Sequence, residues 1–284
     1  MGYVPGINDK NADHVINVLN QRGYESVARA WVKLYEEFKQ SERADQNTRR
    51  CFDGNDLYFK KFEYFIDDIL LFKGKNVLDI GGMCSLSAFF IKTIGGAKNV
   101  HVIDVGDWST CAKFVDSHSR DSLGGIFYHQ EQISNLHNLK IDFDAAYASD
   151  ILYHLDNDVL DSLKENILNK CDVVVSHSRE TKKKKSEKNK YSLNNYKGLA
   201  TYLSEAGHEP IIFPRHTTKE LYKIDEEVSM LRDKKLRRAY ESANPGNAWV
   251  TVLSFKGYDF AKQALCNVPQ DVYDLNGINL EKPK

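Results

Sequence analysis

The apolar side chains change rhythm once along the chain, near Gly74. Before it, Val27, Trp31, Leu34 and Phe38 recur at helical spacing, and Tyr58, Phe62, Phe65, Ile66 and Ile69 do so again, with the polar stretch Ser41 to Asn55 between them. Residues 1–72 therefore read as a helical lead-in. After Gly74, short β-rich runs alternate with helical stretches. The predicted strands are Asn76 to Ile80, Val100 to Asp104, Ile126 to His129, Asp144 to Ala148 and Asp172 to Ser176. Between them lie helical segments from Ser85 to Thr93, Trp108 to Ser119, Asn157 to Leu168 with Asn157 as N-cap, and Leu193 to Ala206 closed by Gly207. That alternation is the mark of βαβ units and a doubly wound, parallel sheet. Two further strands, His208 to Phe213 and Trp249 to Phe255, end the domain at 73–257, with a helical insertion at 214–248 and a loosely held tail at 258–284.

Composition narrows the class. Of 284 residues, 42% are hydrophobic and 28% charged, enough for a real core and too ordered in content for a disordered chain. Lys and Arg number 39 against 40 Asp and Glu, so attraction to a polyanion has to come from local patches. No run is long and apolar enough for a membrane span, and MGYVPGINDK resembles neither a secretory leader nor, with Gly6 where Ser or Thr is needed, a myristoylation signal. The five cysteines, Cys51, Cys84, Cys111, Cys171 and Cys266, form no CxxC pair, which argues against a disulfide framework and against a zinc site. The expectation is a cytoplasmic protein with no metal.

The chemistry begins where the first sheet strand meets Val77-Leu78-Asp79-Ile80-Gly81-Gly82-Met83-Cys84-Ser85. Ligands of doubly wound sheets bind beyond the carboxyl ends of the strands, and glycine there admits close approach of main chain to a ligand. Alone, such a turn is equally well a tight strand-to-helix connection. The second strand, His101-Val102-Ile103-Asp104, adds a carboxylate at its own tip, placed to accept both hydroxyls of a ribose. Asp104 by itself could be a capping residue; a binding site explains the two features together.

VLDIGG, VHVIDVGDW, FDAAYASDILYHL and DVVVSHS stand in the order and at the spacings of the class I S-adenosylmethionine-dependent methyltransferases, which this chain resembles from about residue 56 to residue 256. The helical lead-in, the D-W after the second strand and the LYHL after the fourth look most like the tRNA wobble-uridine carboxymethyl and methyl transferase branch. The resemblance implies a mostly parallel seven-stranded Rossmann-like sheet closed by an antiparallel hairpin, with S-adenosyl-L-methionine as cofactor and S-adenosyl-L-homocysteine as product. It implies that Asp79 and the amides of Gly81 and Gly82 hold the methionine end and that Asp104 holds the ribose. Val105 or Trp108 would flank the adenine, Gln132 and Ile133 would read its edge, and Ser149 would join the cofactor site. The chain departs from the family loop, DxGxGxG, at Met83 and Ser85, and has Gln132 where an Asp is frequent.

Methyl transfer to a hydroxyl benefits from a nearby base. Ser149, Asp150, Tyr153 and His154 follow the fourth strand, and His154 is the first candidate for base or substrate orienter because its intrinsic pKa lies near neutrality. The plain alternative is a histidine that only bonds its own turn. Asp150 is a base or a partner for the cofactor's ammonium group, and His177, at the end of the fifth strand, is a second base candidate. Arg179 to Lys190, RETKKKKSEKNK, and Arg232 to Arg238 are basic patches that either bind phosphates, tRNA among them, or are solvated loops. An acceptor that is a polar small molecule or glycan is favoured over tRNA because the overall charge is near zero. The aromatic run Tyr58 to Phe65 reads as packing, with one ring left to close over the cofactor; Cys84 reads as a packing residue.

Overall fold

A computed structural model describes residues 9–40, 62–83, 85–119, 124–179, 190–193, 196–217 and 248–256. The predicted helical insertion, the tail, Tyr58, Cys84 and most of both basic patches lie outside these residues. The chain divides into two compact units, Met1–Tyr147 and Ala148–Lys284.

The first unit opens with α1 (Asp9–Gln21), α2 (Glu25–Gln40) and α3 (Phe62–Ile69). Val15, Val18 and Leu19 on α1 and Ala28, Trp31, Leu34 and Tyr35 on α2 are buried. Val27, expected on that stripe, is only half-buried, because the buried face turns one position further round the helix. Then come β1 (Asn76–Ile80), α4 (Leu86–Thr93), β2 (Asn99–Asp104), α5 (Ser109–Ser119), β3 (Ile126–Gln130), a 3₁₀ turn at Ile133–Leu139, and β4 (Ala145–Ser149), whose first residues belong to this unit. Trp31 packs its ring 5.2 Å from that of Phe90 on α4, and Phe62 meets the same Phe90 edge-on at 4.7 Å. The lead-in helices thus seat α4, the helix that follows the glycine turn. Phe62 and Phe65 are 0% and 1% exposed, which assigns both to the core and neither to a cover over a ligand.

The second unit holds α6 (Asn157–Asn166), β5 (Val173–Arg179), α7 (Tyr196–Glu205), β6 (Glu209–Thr217) and β7 (Ala248–Phe255). The seven strands order as β3-β2-β1-β4-β5-β7-β6. β1 pairs in parallel with β2 and β2 with β3, whereas β7 runs antiparallel to both β5 and β6. The mostly parallel sheet with a terminal antiparallel hairpin is the architecture expected. Ends differ in detail. β6 continues past the predicted stop at Phe213 to Thr217, through a bulge between Pro214 and Thr217 that accommodates a proline without a ladder amide. Asp156, not Asn157, occupies the N-cap of α6, with extended backbone (φ −75°, ψ 160°). Asn157 is the first helical residue, and its side-chain oxygen accepts the amide of Lys190.

Candidate functional site

In the first unit, Asp79, next to last in β1, is 1% exposed and accepts a hydrogen bond from Ser87 Oγ on α4 at 2.5 Å. Burial drives its pKa from 3.8 up to about 7, the Ser87 hydrogen bond opposing and the neighbouring Asp104 charge adding to the rise. Gly82 lies directly over this carboxyl group: a Cβ there would stand 2.5 Å from Asp79 Oδ2 and 2.8 Å from Val102 Cγ1. Any side chain at 82 would have to displace the Asp79 carboxyl or Val102. Gly81 takes φ 70°, but its amide already donates to the Ile103 carbonyl at 2.8 Å, so it ties β1 to β2 and does not supply the ligand donor expected of it.

Met83 and Ser85 stand where the resembled family loop has glycines, and both adopt left-handed backbone, φ 46° and 67°. The turn keeps a glycine-like path with side chains on it. Ser85 is therefore not the first residue of α4; it is the left-handed N-cap residue, and the helix begins at Leu86.

β2 ends in Asp104, half-buried, whose Oδ1 accepts the Gly106 amide at 2.8 Å. Among the described residues, no donor meets its other carboxylate oxygen. Val105, beside it, is 71% exposed. Met83, at the β1 tip, is 43% exposed. Trp108 folds back on Gly106, where a Cβ would meet its Nε1 at 2.5 Å. Tyr128 of β3 donates from its hydroxyl to the Gly106 carbonyl and accepts the Trp108 amide at 3.4 Å. Glu131 donates its amide to the Asp104 carbonyl, and its side chain accepts from the amides of Gln132 and Asn135. Gln132 is exposed and half-buried Ile133 begins the 3₁₀ turn, so both reach the same strand-tip neighbourhood through Glu131. Sequence reasoning missed Ser87, Tyr128 and Glu131. Only Tyr128, an aromatic pointing off β3 opposite Val102 in register, carries a local signal, and its role depends on which loop its hydroxyl meets.

In the second unit, half-buried Ser149 closes β4 and Asp150 follows in left-handed backbone, φ 54°, its amide bonded to the His177 carbonyl at 3.0 Å. His154 ends the 3₁₀ turn Leu152–His154, exposed, with its ring centroid 4.1 Å from that of Tyr153. His177 is 5% exposed in β5, paired with Thr251 of β7. The two histidines thus part company: one is accessible and the other is walled in. Lys190, the last charge of the first basic patch, is bound to Asp161 at 2.8 Å and lies over the Tyr191 ring. Among the described residues, no group of three or more His, Cys, Asp or Glu could hold a metal ion, and no helix is long and apolar enough to cross a membrane.

Among solved structures, the geranyl diphosphate C-methyltransferase from Streptomyces coelicolor A3(2), in complex with Mg2+, geranyl diphosphate and S-adenosyl-L-homocysteine, is 13% identical over 76% of this chain and 85% of its own, with a TM-score of 0.51. A geranyl diphosphate methyltransferase in complex with SAM gives 13% identity, 76% and 93% coverage, and a TM-score of 0.51. The fold is the Rossmann-like methyltransferase fold. No protein-family model and no curated protein matches the sequence.

Proposed function

We propose that this chain is an S-adenosyl-L-methionine-dependent methyltransferase acting on an oxygen or nitrogen nucleophile of a polar small molecule or sugar. The observation that carries the reading is the pair of strand tips in the first unit. Asp79 lies under a glycine where a Cβ would stand 2.5 Å from its Oδ2, and Asp104 is held by one oxygen so that the other stays available. The donor set suits the cofactor: a carboxylate oxygen for ribose hydroxyls and exposed Val105 for an adenine face, with Gln132 and Ile133 near the same tip. Asp79 acts from beneath the loop, where its hydrogen bond with Ser87 holds the turn that would receive the methionine end. The two solved methyltransferases of the same fold, crystallised with S-adenosyl-L-homocysteine and SAM, support this choice of cofactor.

When bound, the cofactor supplies an electrophilic methyl group and leaves as S-adenosyl-L-homocysteine. The chain's own residues then have to orient the acceptor and remove its proton. His154, exposed on its turn, takes that proton or orients the nucleophile. Asp150, in strained backbone beside the end of β4, is the second polar group assigned to the acceptor side or to the cofactor's ammonium, with Ser149 next to it. His177 supports Asp150 through its backbone carbonyl.

The tRNA wobble-uridine alternative draws on the charge runs Lys182 to Lys190 and Arg232 to Arg238, and of these the described Lys190 is engaged by Asp161. Purified chain incubated with methyl-labelled cofactor and fractionated extract decides the acceptor. Label in metabolites or glycans supports the proposal, and label in tRNA transfers the activity to RNA. Absence of both label and cofactor binding leaves a non-catalytic scaffold.

A further inference from the structure

We propose that Tyr128 is a positioning residue for the ribose carboxylate: its hydroxyl fixes the Gly106 to Trp108 turn, and that turn holds Asp104 in the orientation that receives the cofactor. The inference rests on the cofactor reading above and adds to it a residue from a neighbouring strand.

The connection is a chain of contacts within the first unit. Tyr128 lies on β3 opposite Val102, so its side chain leaves the sheet one turn short of the β2 tip. Its hydroxyl donates to the Gly106 carbonyl and accepts the Trp108 amide at 3.4 Å, meeting one polar group at each end of the turn. The amide on the other side of Gly106 donates to Asp104 Oδ1 at 2.8 Å. Rotation of either peptide would move the donor that sets the carboxylate. Apolar burial does not do this work at the tip of the turn, since Val105 is 71% exposed and Asp107 is exposed as well. Trp108 instead lies against Gly106 so closely that a Cβ at 106 would meet its Nε1 at 2.5 Å. The turn is therefore compact but anchored mainly by hydrogen bonds: the Ala112 amide of α5 donates to the Trp108 carbonyl at 2.9 Å, and among the described residues the Tyr128 phenol is the side chain that bonds the turn from another strand. Glu131, two residues beyond the next on the same strand's exit, secures the Asp104 carbonyl through its amide at 3.1 Å, so β3 holds the carboxylate residue from its main chain as well.

A tyrosine that only filled space would be replaced by phenylalanine without consequence for binding, and this separates the two roles. The experiment is a calorimetric titration of S-adenosyl-L-homocysteine into the full chain, its Tyr128→Phe and Asp104→Asn variants, and the double variant, with thermal melting of each. Loss of one hydroxyl's bonds is expected to weaken binding by about five- to tenfold. Asp104→Asn is expected to weaken it further. Because Tyr128 acts through Asp104, the double variant should bind within about twofold of Asp104→Asn alone. A Tyr128→Phe protein that binds as tightly as the parent overturns the proposal, as does a double variant in which the two losses multiply. If the parent and Asp104→Asn bind alike, the cofactor reading itself falls and takes this assignment with it. Should Tyr128→Phe melt much earlier than the parent, the titrations are repeated at a temperature where both are folded; equal affinity there overturns the proposal as well.

Discussion

Met83 and Ser85 carry side chains on backbone that glycine adopts most readily, and the conflict is written into their energies. Left-handed backbone costs an L-residue about 1–2 kcal/mol, and strain of this kind survives where the surroundings over-determine the conformation. Ser85 adds a buried hydroxyl with no hydrogen-bond partner among the described residues. Met83→Gly is expected to be neutral or to stabilise the chain by up to about 1 kcal/mol, after glycine's own entropic cost. A urea titration checks this, and a loss of more than about 1 kcal/mol would contradict the left-handed assignment. The sequence showed Met83 and Ser85 as departures from a glycine loop; it could not show that the loop's path is kept, because residue type constrains backbone only loosely at such positions. Asp79 supplies a second prediction. Its folded pKa, about 7, lies above the 3.8 of the free side chain, so the folded protein holds the extra proton between those values. Stability contributed by Asp79 is present below about pH 4 and is lost as the pH rises towards 7. Asp79→Asn should flatten that decline and be more stable than the parent at pH 8, while matching it near pH 4. Parallel pH profiles for the two proteins would remove the burial argument.

The approach to β2 depends on an internal cation. Lys92, 2% exposed at the end of α4, donates to the carbonyls of Ala97 and Lys98 at 2.7 Å each, and burial holds its pKa below the usual lysine range. Those carbonyls belong to the segment that leads into the strand carrying Asp104. Lys92→Met would leave both without their donor and is expected to cost about 1–3 kcal/mol in denaturant unfolding; a loss below about 0.5 kcal/mol would show that water replaces the ammonium. β1, β2 and β5 were legible because valine, leucine and isoleucine concentrate there in short runs, and β3 and β4 because short aromatic- or alanine-bearing runs stand between helical stretches; β1 matches its predicted bounds, Asn76–Ile80. The 3₁₀ turn at Ile133–Leu139 was not read, although Ile133, Leu136 and Leu139 recur every three residues, the 3₁₀ repeat, because three apolar positions over seven residues are too few to stand out from a loop. The N-cap of α6 was misplaced by one residue because Asp156 and Asn157 are both good caps and only the backbone angles distinguish them.

For the whole molecule, two late β-rich segments were legible in the sequence and the family resemblance implied that they close the sheet as an antiparallel hairpin; β7 indeed pairs antiparallel with β5 and β6. The division after Tyr147 was not legible, because β4 has no break in pattern there. The two carboxylates of the proposed cofactor site, by contrast, could be picked out as acidic side chains near two successive strand ends; which of their oxygens are engaged depends on contacts such as Gly106 and Ser87 that no spacing reveals. Recognition of an adenosyl sulfonium by the first unit is the claim on which acceptor chemistry, Tyr128 and the role of His154 all depend. Calorimetric titration of S-adenosyl-L-methionine into the full-length parent and Asp104→Ala addresses it directly. The account predicts saturable binding by the parent, in the micromolar range or about 8 kcal/mol, and its loss in the variant; an athermal parent with no binding by equilibrium dialysis, or a variant that binds undiminished, would contradict it.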